Sequence, residues 1–300
     1  FQGEHTIKQA GDLKIDYGAG LARASRNEPD TRGAIYVLSP PVYSFETDGL
    51  SGQHFYADQG ETTVSGQLNV TKPFGDEGRK LDVKTGGAIS VRSRDFLARR
   101  FNYRRAPGAT IEFNCGVTEW DRSCPDRLFT DANIGPQLQL QENNRFGDGY
   151  EASLDVYAGY LMFDGEVVDK LRLVVGPRVE ATRQELLAFD PGNRSAESDR
   201  NSEFNSTDIL PALGLVYSPV PRINVRASAT RTVARPQIRE FAPFAFTDYF
   251  GGQEVQGNPE LVNTSIVNTD LRFEFFPKTT EVIAVSAFYK RFADPIEQVI

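Results

Sequence analysis

The chain has 300 residues, a formal net charge of −8 and a pI near 5.0. This acidic balance argues against a nucleic-acid partner, which would need a basic stripe on the protein. A transmembrane helix is excluded because the sequence has no run of about 18 apolar residues. Barrel strands escape this test, since only every second residue of such a strand faces lipid.

Ten segments alternate apolar with polar residues, which is the pattern of a β-strand with one oily face. In the eighth segment, Ile223, Val225 and Ala227 share one face, whereas Asn224 and Arg226 share the other. The predicted strands cover residues 4–9, 12–24, 61–72, 79–93, 150–163, 168–182, 208–218, 222–232, 262–276 and 280–291.

The same alternation predicts which side chains face outward. The outward rows are Leu13, Ile15, Tyr17, Ala19, Leu21, then Leu81, Val83, Ile89, Val91, then Ala152, Leu154, Val156, Ala158, Tyr160, then Leu171, Leu173, Val175 and Val179. The opposite rows carry Lys14, Asp16, Asp82, Lys84, Arg92, Glu151, Asp155, Arg172, Arg178 and Glu180. A transmembrane barrel turns its oily rows to lipid and its charged rows to a wet lumen.

Short and long connections alternate along the chain. The short ones are rich in turn-forming residues, as at Pro219 to Pro221. The long ones cover about 25–60, 94–149, 183–207 and 233–261. Successive hairpins produce this order when one rim of a barrel has tight periplasmic turns and the other has large extracellular loops. We therefore expect residues 1–300 to form part of a single antiparallel, up-and-down transmembrane β-barrel domain in an all-β chain.

Two structural expectations follow from this barrel. Leu213 and Leu215 should share a face with Val225 and Ala227, because a slip of one residue would exchange the two faces. Sequential strands should be neighbours, with the strand near Thr6 at one open edge of a curved sheet and the strand near Phe288 at the other.

Cys115 and Cys124, the only cysteines, have eight residues between them in a polar loop. Such a pair favours a disulfide in an oxidising compartment over two free thiols. A metal site would need more ligands, and His5 and His54 are distant in sequence, so we expect neither a metal nor a cofactor. Two histidines also make a catalytic triad improbable, and the sequence predicts no enzyme.

Several motifs together resemble the carboxy-terminal half of TonB-dependent outer-membrane receptors. Residues 230–236 (TRTVARP), 257–261 (GNPEL) and 268–272 (NTDLR) are similar to the family's "SRTVARP", "GNPDL" and "NYDLR" sequences. Residues 286–297 (SAFYKRFADPIE) resemble "SGFYKRFDDPIE", and residues 24–32 (ASRNEPDTR) resemble "ASRDEPDTR". The resemblance spans most of the chain.

This resemblance implies active import of a scarce bulky nutrient, such as a siderophore or an oligosaccharide, across the outer membrane of a Gram-negative bacterium. The family barrel has about 22 strands, so the ten predicted here would be a fragment with the plug domain absent. Its partners would be outer-membrane lipid, an extracellular ligand, and the TonB complex through the missing plug segment. The full-length precursor would carry a signal peptide, which the amino end of this chain does not show.

Ligand-binding residues are expected at the loop rim of the most family-like hairpin, which carries charged and aromatic groups. They are Arg231, Arg235, Asp248, Tyr249 and Phe250. Packing of loop against loop is an equally good interpretation of these residues.

Two other functions remain open at this point. A passive porin or a structural outer-membrane barrel would lack an upstream plug-coding segment. A soluble all-β carbohydrate-binding protein would be extracted without detergent, whereas a barrel needs it.

Overall fold

The structure of the chain is a computed structural model. It describes residues 1–39, 42–47, 51–75, 81–110, 115, 124–195, 199–246 and 253–299. Within this part of the chain, no helix is long and apolar enough to cross a lipid bilayer.

The described residues form fifteen strands, one short α-helix and one turn of 3₁₀ helix (Lys8–Ala10). The first seven strands are β1 (Gln2–Ile7), β2 (Leu13–Gly33), β3 (Tyr36–Ser39), β4 (Val42–Phe45), β5 (Gln53–Phe74), β6 (Leu81–Arg105) and β7 (Leu138–Glu142). The helix α1 (Cys124–Leu128) lies between β6 and β7. The remaining strands are β8 (Gly149–Val168), β9 (Leu171–Phe189), β10 (Arg200–Val220), β11 (Ile223–Ala234), β12 (Ala245–Phe246), β13 (Val255–Gln256), β14 (Thr264–Phe275) and β15 (Ile283–Ala293).

One sheet contains all the long strands, in the order β1-β2-β5-β6-β8-β9-β10-β11-β14-β15. Every ladder along this path is antiparallel, and neighbours in the sheet follow one another along the chain. The ten strands expected from the sequence are therefore confirmed in number and order. Among the described residues, no ladder joins β1 to β15, so these two strands form the edges of the sheet.

Several strands are longer than the alternation predicted. β5 begins at Gln53 rather than at 61, β6 continues to Arg105 rather than to 93, and β10 begins at Arg200 rather than at 208. The expected long loops are shortened accordingly, because their first and last residues continue the ladders. Backbone pairing does not require an apolar side chain, so the ladder persists where the oily rows have ended.

The hairpin of β10 and β11 has the expected register. Leu215 lies opposite Ala227 and Leu213 opposite Ala229, which places all four on one face, called here the apolar face. Arg226 lies on the other, charged face, where its Nε donates to Glu274 at 3.0 Å. The turn occupies residues 221–222, slightly later than the predicted Pro219 to Pro221, because a bulge between Tyr217 and Val220 extends β10.

The predicted faces of β8 are wrong. Ala158 lies opposite Glu180 on β9, and Tyr160 opposite Arg178, so the expected outward row of Ala152 to Tyr160 lies on the charged face. Tyr157, Leu161 and Phe163 form the apolar row instead, and each is about 40–50% exposed. Both rows of β8 are apolar here, so its alternation alone could not assign the faces.

The two faces exchange chemistry towards the rim that carries the long connections. On the charged face, Glu180 and Thr182 of β9 are followed by buried Leu186 and Ala188. On the apolar face, Val179 is followed by Arg183 and Glu185, which form an ion pair. Glu151 and Asp155, which the sequence placed on the charged face, lie on the apolar face above its oily row.

A separate small core holds the two cysteines at this rim. Cys115 and Cys124 form a disulfide with a Cα separation of 5.1 Å. Both are buried with Phe45, Leu128 and Leu138, and the Cys115 amide donates to the Tyr43 carbonyl oxygen at 2.6 Å. The disulfide therefore closes a loop within the connection after β6, and the Cys115 amide links this connection to the β3–β4 hairpin.

Replacing Ala227 with arginine would put a charge on the apolar face, opposite Leu215 and Leu271. We expect the full-length protein in lipid vesicles to lose about 2–4 kcal/mol of unfolding free energy, the cost of arginine near the middle of a bilayer. Ser228→Arg is the matched control, because this arginine would face Asp270 and should cost less than about 1 kcal/mol. Urea titration followed by gel mobility measures both, and equal losses would contradict the assigned faces.

Candidate functional site at the long-connection rim

The charged face is organised by carboxylates that each contact two cations. Asp164 accepts from Lys84 at 3.0 Å and from Arg172 at 2.7 Å. Glu274 similarly accepts from Arg226 and Arg272. Glu61 lies within ion-pair distance of Arg92 and Arg94. These contacts hold long side chains against the wall, although each exposed ion pair adds little to stability.

A further cluster of this kind includes a residue predicted for the site. Glu180 accepts from Arg178 at 2.6 Å and also bonds the Arg235 guanidinium. Arg235 Nε further donates to the Thr182 hydroxyl at 2.8 Å. Arg235 directly follows β11, so this contact directs the chain after β11 across the charged face of β9.

The segment that follows, residues 235–246, is called here the mouth segment. It buries Ile238, Phe241, Ala242 and Phe244, of which Phe241 and Ala242 are fully buried. These side chains form one core with residues of the wall on its charged face, namely Tyr150, Ala152, Leu186 and Ala188, flanked by Phe96, Phe146, Phe204 and Phe246. The exchange of chemistry on β8 and β9 thus provides an apolar seat for this segment.

Local sequence explains the shape of the mouth segment. Pro236 cannot donate to the β-ladder, and β11 ends two residues before it. The amide of Phe241 then donates to the Gln237 carbonyl oxygen at 3.1 Å, which closes one helical turn. Gly257 returns close beneath, where a Cβ would lie 2.4 Å from the Ala242 carbonyl oxygen. Only glycine fits this approach, which gives the 257–261 motif a structural role.

Aromatic rings make up most of the contact between segment and wall. Tyr150 stacks on Phe96 with ring centroids 5.1 Å apart and on Phe244 at 5.8 Å. Phe241 meets Phe204 edge-on at 6.2 Å. Such ring pairs add to the free energy of simple area burial.

Buried polar atoms without partners lie beside this aromatic core. Gln184 is 1% exposed, yet neither its amide nitrogen nor its amide oxygen has a hydrogen-bond partner. The Tyr150 hydroxyl is also buried, with the Arg94 guanidinium as its polar neighbour. Arg92 Nε is buried without a hydrogen bond and has only the ion-pair contact with Glu61 at 3.7 Å. Leu154 lies opposite Gln184 on one side and Arg92 on the other, so these groups share the charged face. Unsatisfied buried groups are rare in proteins and mark places that a ligand or water can complete.

A buried carboxylate stabilises the approach to the wall at the start of β8. Asp148 is 4% exposed and accepts from Arg100 Nε at 2.8 Å and from the Arg145 amide at 2.8 Å. Burial raises the pKa of the Asp148 carboxyl, and the Arg100 charge opposes this rise. The Arg145 guanidinium reaches Glu254 at 3.1 Å, which links this turn to the chain just before β13.

The structure separates the predicted site residues. Arg231 shares the apolar face with Ala229. Arg235 has the same parity but lies after the end of β11 at Ala234, where the chain leaves the ladder and the side chain reaches Glu180 on the charged face. Asp248, Tyr249 and Phe250 lie outside the described residues. Sequence reasoning missed Tyr150, Gln184, Phe241 and Phe244. The apolar residues spaced through 236–246 were the available signal, since a solvated loop does not need them.

No group of three or more His, Cys, Asp and Glu side chains is placed to hold a metal ion in the part of the chain that the structure describes.

A family model described as TonB dependent receptor-like, beta-barrel matches residues 4–300. The chain belongs to this TonB-dependent receptor family. Its members are outer-membrane β-barrels and transport receptors rather than enzymes, so the apolar face is the lipid-facing wall and the charged face lines the lumen.

Solved structures share the fold. The ferric citrate transporter FecA in the unliganded form is 10% identical with a TM-score of 0.56. The ferric yersiniabactin uptake receptor FyuA from Yersinia pestis is 12% identical with a TM-score of 0.57. The closed form of the ferric-catecholate import receptor Fiu from E. coli K12 is 13% identical, also with a TM-score of 0.57.

These alignments cover 95% or more of this chain. The chain spans only 34% of FecA, 34% of FyuA and 40% of Fiu. At such low identities the likeness concerns the fold alone. The chain has no match among curated proteins.

Replacing Arg235 with glutamine should release the mouth segment from Glu180. We expect hydrogen–deuterium exchange of the 237–246 amides to speed up by roughly tenfold or more, because hydrogen bonds to charged groups contribute roughly 1.5–3 kcal/mol. Arg178→Gln is the control, since Glu180 would keep Arg235, and exchange in 237–246 should stay as in the wild type. An unchanged rate in the Arg235 variant would rule out this anchor.

Proposed function

We propose that this chain is part of the wall of a TonB-dependent active importer of a scarce bulky nutrient, a ferric siderophore or an oligosaccharide. The observation that carries the proposal is the mouth segment, which covers the lumenal face of β8 and β9 at the long-connection rim. In this proposal that rim is extracellular, residues 1–300 belong to one barrel domain, and the TonB complex acts through a plug segment outside this chain.

The covered mouth favours an active importer over a passive porin. A porin needs an open aqueous lumen. Here Phe241 and Phe244 fill the space against Tyr150 and Leu186, and Arg235 fixes them to Glu180. In this proposal the segment moves away from the wall to let a bulky nutrient pass, which suits a receptor whose opening depends on energy.

Gln184 and Tyr150 are the groups proposed to meet the nutrient. Both are buried on the lumenal face, where the Gln184 amide has no hydrogen-bond partner and the Tyr150 hydroxyl has only the Arg94 guanidinium as a polar neighbour. Displacement of the mouth segment would open the Tyr150 phenol and its neighbouring aromatic rings, and the Gln184 amide and the Arg92 guanidinium lie on the same lumenal face. Hydroxyl, catechol and carboxylate groups would all find a hydrogen-bond partner there. Arg235 would be released from Glu180 in the same movement, and Asp248, Tyr249 and Phe250 remain proposed contacts from the loop.

The first experiment separates active import from passive diffusion. Cells that lack every other iron receptor and carry the full-length protein would be tested for uptake of radiolabelled ferric complexes, with labelled oligosaccharides in parallel. Ferric complexes are tested first because the descriptions of FecA, FyuA and Fiu each name a ferric complex as the transported compound. We expect saturable uptake that stops when tonB is deleted. Uptake that is linear with concentration and survives the deletion would establish the porin alternative.

Gln184→Leu tests the proposed contact. Neither amide atom has a partner to lose, so the melting temperature of the purified receptor should stay the same or rise. Uptake of the complex that gave TonB-dependent transport should fall about fivefold, the value of one neutral hydrogen bond. Glu185→Gln, one residue on and on the lipid-side face, is the control and should transport as the wild type does. Equal uptake by the two variants would exclude Gln184 from the nutrient site.

A further inference from the structure

Two arginines lie on the lipid-facing side, just above its oily rows. Arg231 on β11 follows Ala229, and Arg291 on β15 follows Tyr289, in the rows that begin with Val225 and Val285. Both side chains are exposed. They are at the rim of the long connections, so neither can reach the lumen where nutrient would pass.

The register brings these arginines together. Each lies directly opposite Val267 on the strand between them, β14. Two strand spacings separate their backbones, roughly 10 Å. Arginine side chains are long enough for the two guanidinium groups to approach each other above Val267. Arg231 Nε donates to the Ser265 hydroxyl at 2.9 Å, which directs its guanidinium along β14, one row above Val267.

Within β11, β14 and β15, no acidic side chain lies in the rows next to these two arginines. The row below consists of Ala229, Thr269 and Tyr289, and the row above of Val233, Ser265 and Ala293. Among the described residues, neither Arg231 nor Arg291 has an ion pair. By contrast, Arg183 on the same face of β9 pairs with Glu185 and lies 3.8 Å from Glu203.

We propose that Arg231 and Arg291 bind a phosphate of an anionic lipid headgroup in the outer leaflet. The two guanidinium groups supply charge-assisted donors from both sides of β14. Tyr289, 65% exposed directly below Arg291, belongs at the depth where the acyl chains meet the headgroups. An arginine at this height faces the headgroup layer. Placing its charge in the hydrocarbon layer instead would cost free energy. The site rests on the outer-membrane location of the wall and not on the identity of the nutrient.

The test uses the full-length receptor in nanodiscs of phosphatidylcholine with a small fraction of diphosphorylated lipid A. Bound lipid A would be counted by native mass spectrometry after ejection from the disc. Arg231→Gln with Arg291→Gln should weaken its retention by about fivefold for each arginine removed. Arg183→Gln is the matched control, because its charge is already neutralised, and should retain lipid A as the wild type does.

Further arms identify the source of the phosphate and control for folding. The charge-conserving pair Arg231→Lys and Arg291→Lys should keep most of the binding. Lipid A with its phosphates removed should not be retained by the wild type, and inorganic phosphate in excess should compete only weakly. Retention that ignores the lipid phosphates, or that is the same in the Gln pair, overturns the proposal. Full displacement by inorganic phosphate would also overturn it, since the site would then recognise a free ion rather than a lipid.

Discussion

The continuous antiparallel ladder from β1 to β15 is the constraint on which the rest of the structure depends. In lipid, every backbone donor and acceptor needs a partner, and only long, uninterrupted ladders supply one along each strand. Because side chains alternate with a period of two, the register then fixes the chemistry of both faces at once. Arg226 reaches Glu274, and Ala227 meets Leu215, as two consequences of one register.

The strands extend beyond the lipid-facing oily rows towards the rim, and the mouth segment packs on these extensions. Above the oily rows, water surrounds the outer face and favours Arg183 and Glu185 there. The inner face of the same strands is then free to carry Leu186 and Ala188, on which Phe241 packs. One strand can therefore face lipid on its outer side within the membrane and contribute to a dry core on its inner side nearer the rim. The ion pair of Arg235 with Glu180 lies between the charged lumenal row and the apolar residues that contact the mouth segment.

Sequence predicted the ten strands, their order and most faces, because strict alternation beside turn residues is a local signal. It failed on β8, where both rows are apolar. Tyr150 and Ala152 pack against the mouth segment on one face, whereas Leu161 and Phe163 lie on the lipid-facing side. It also began β5 and β10 too late and ended β6 too early, because the extensions of these strands lack an oily row. The burial of Gln184 and Tyr150 depends on contacts between distant segments, which no local pattern encodes. Arg231 was assigned to a ligand rim although it lies inside the predicted strand 222–232, where its odd parity places it on the same face as Val225 and Ala227.

The exchange of the two faces along β9 is tested most directly by nitroxide labels placed one at a time over residues 171–188 of the full-length protein in vesicles. Collision rates with oxygen report lipid, and those with a nickel chelate report water. We expect oxygen contact at every odd position up to Val179, nickel contact at Arg183 and Glu185, and shielding from both reagents at Gln184, Leu186 and Ala188. Oxygen contact that continues on the odd row to Leu187, or free nickel access at Leu186 and Ala188, would contradict the account.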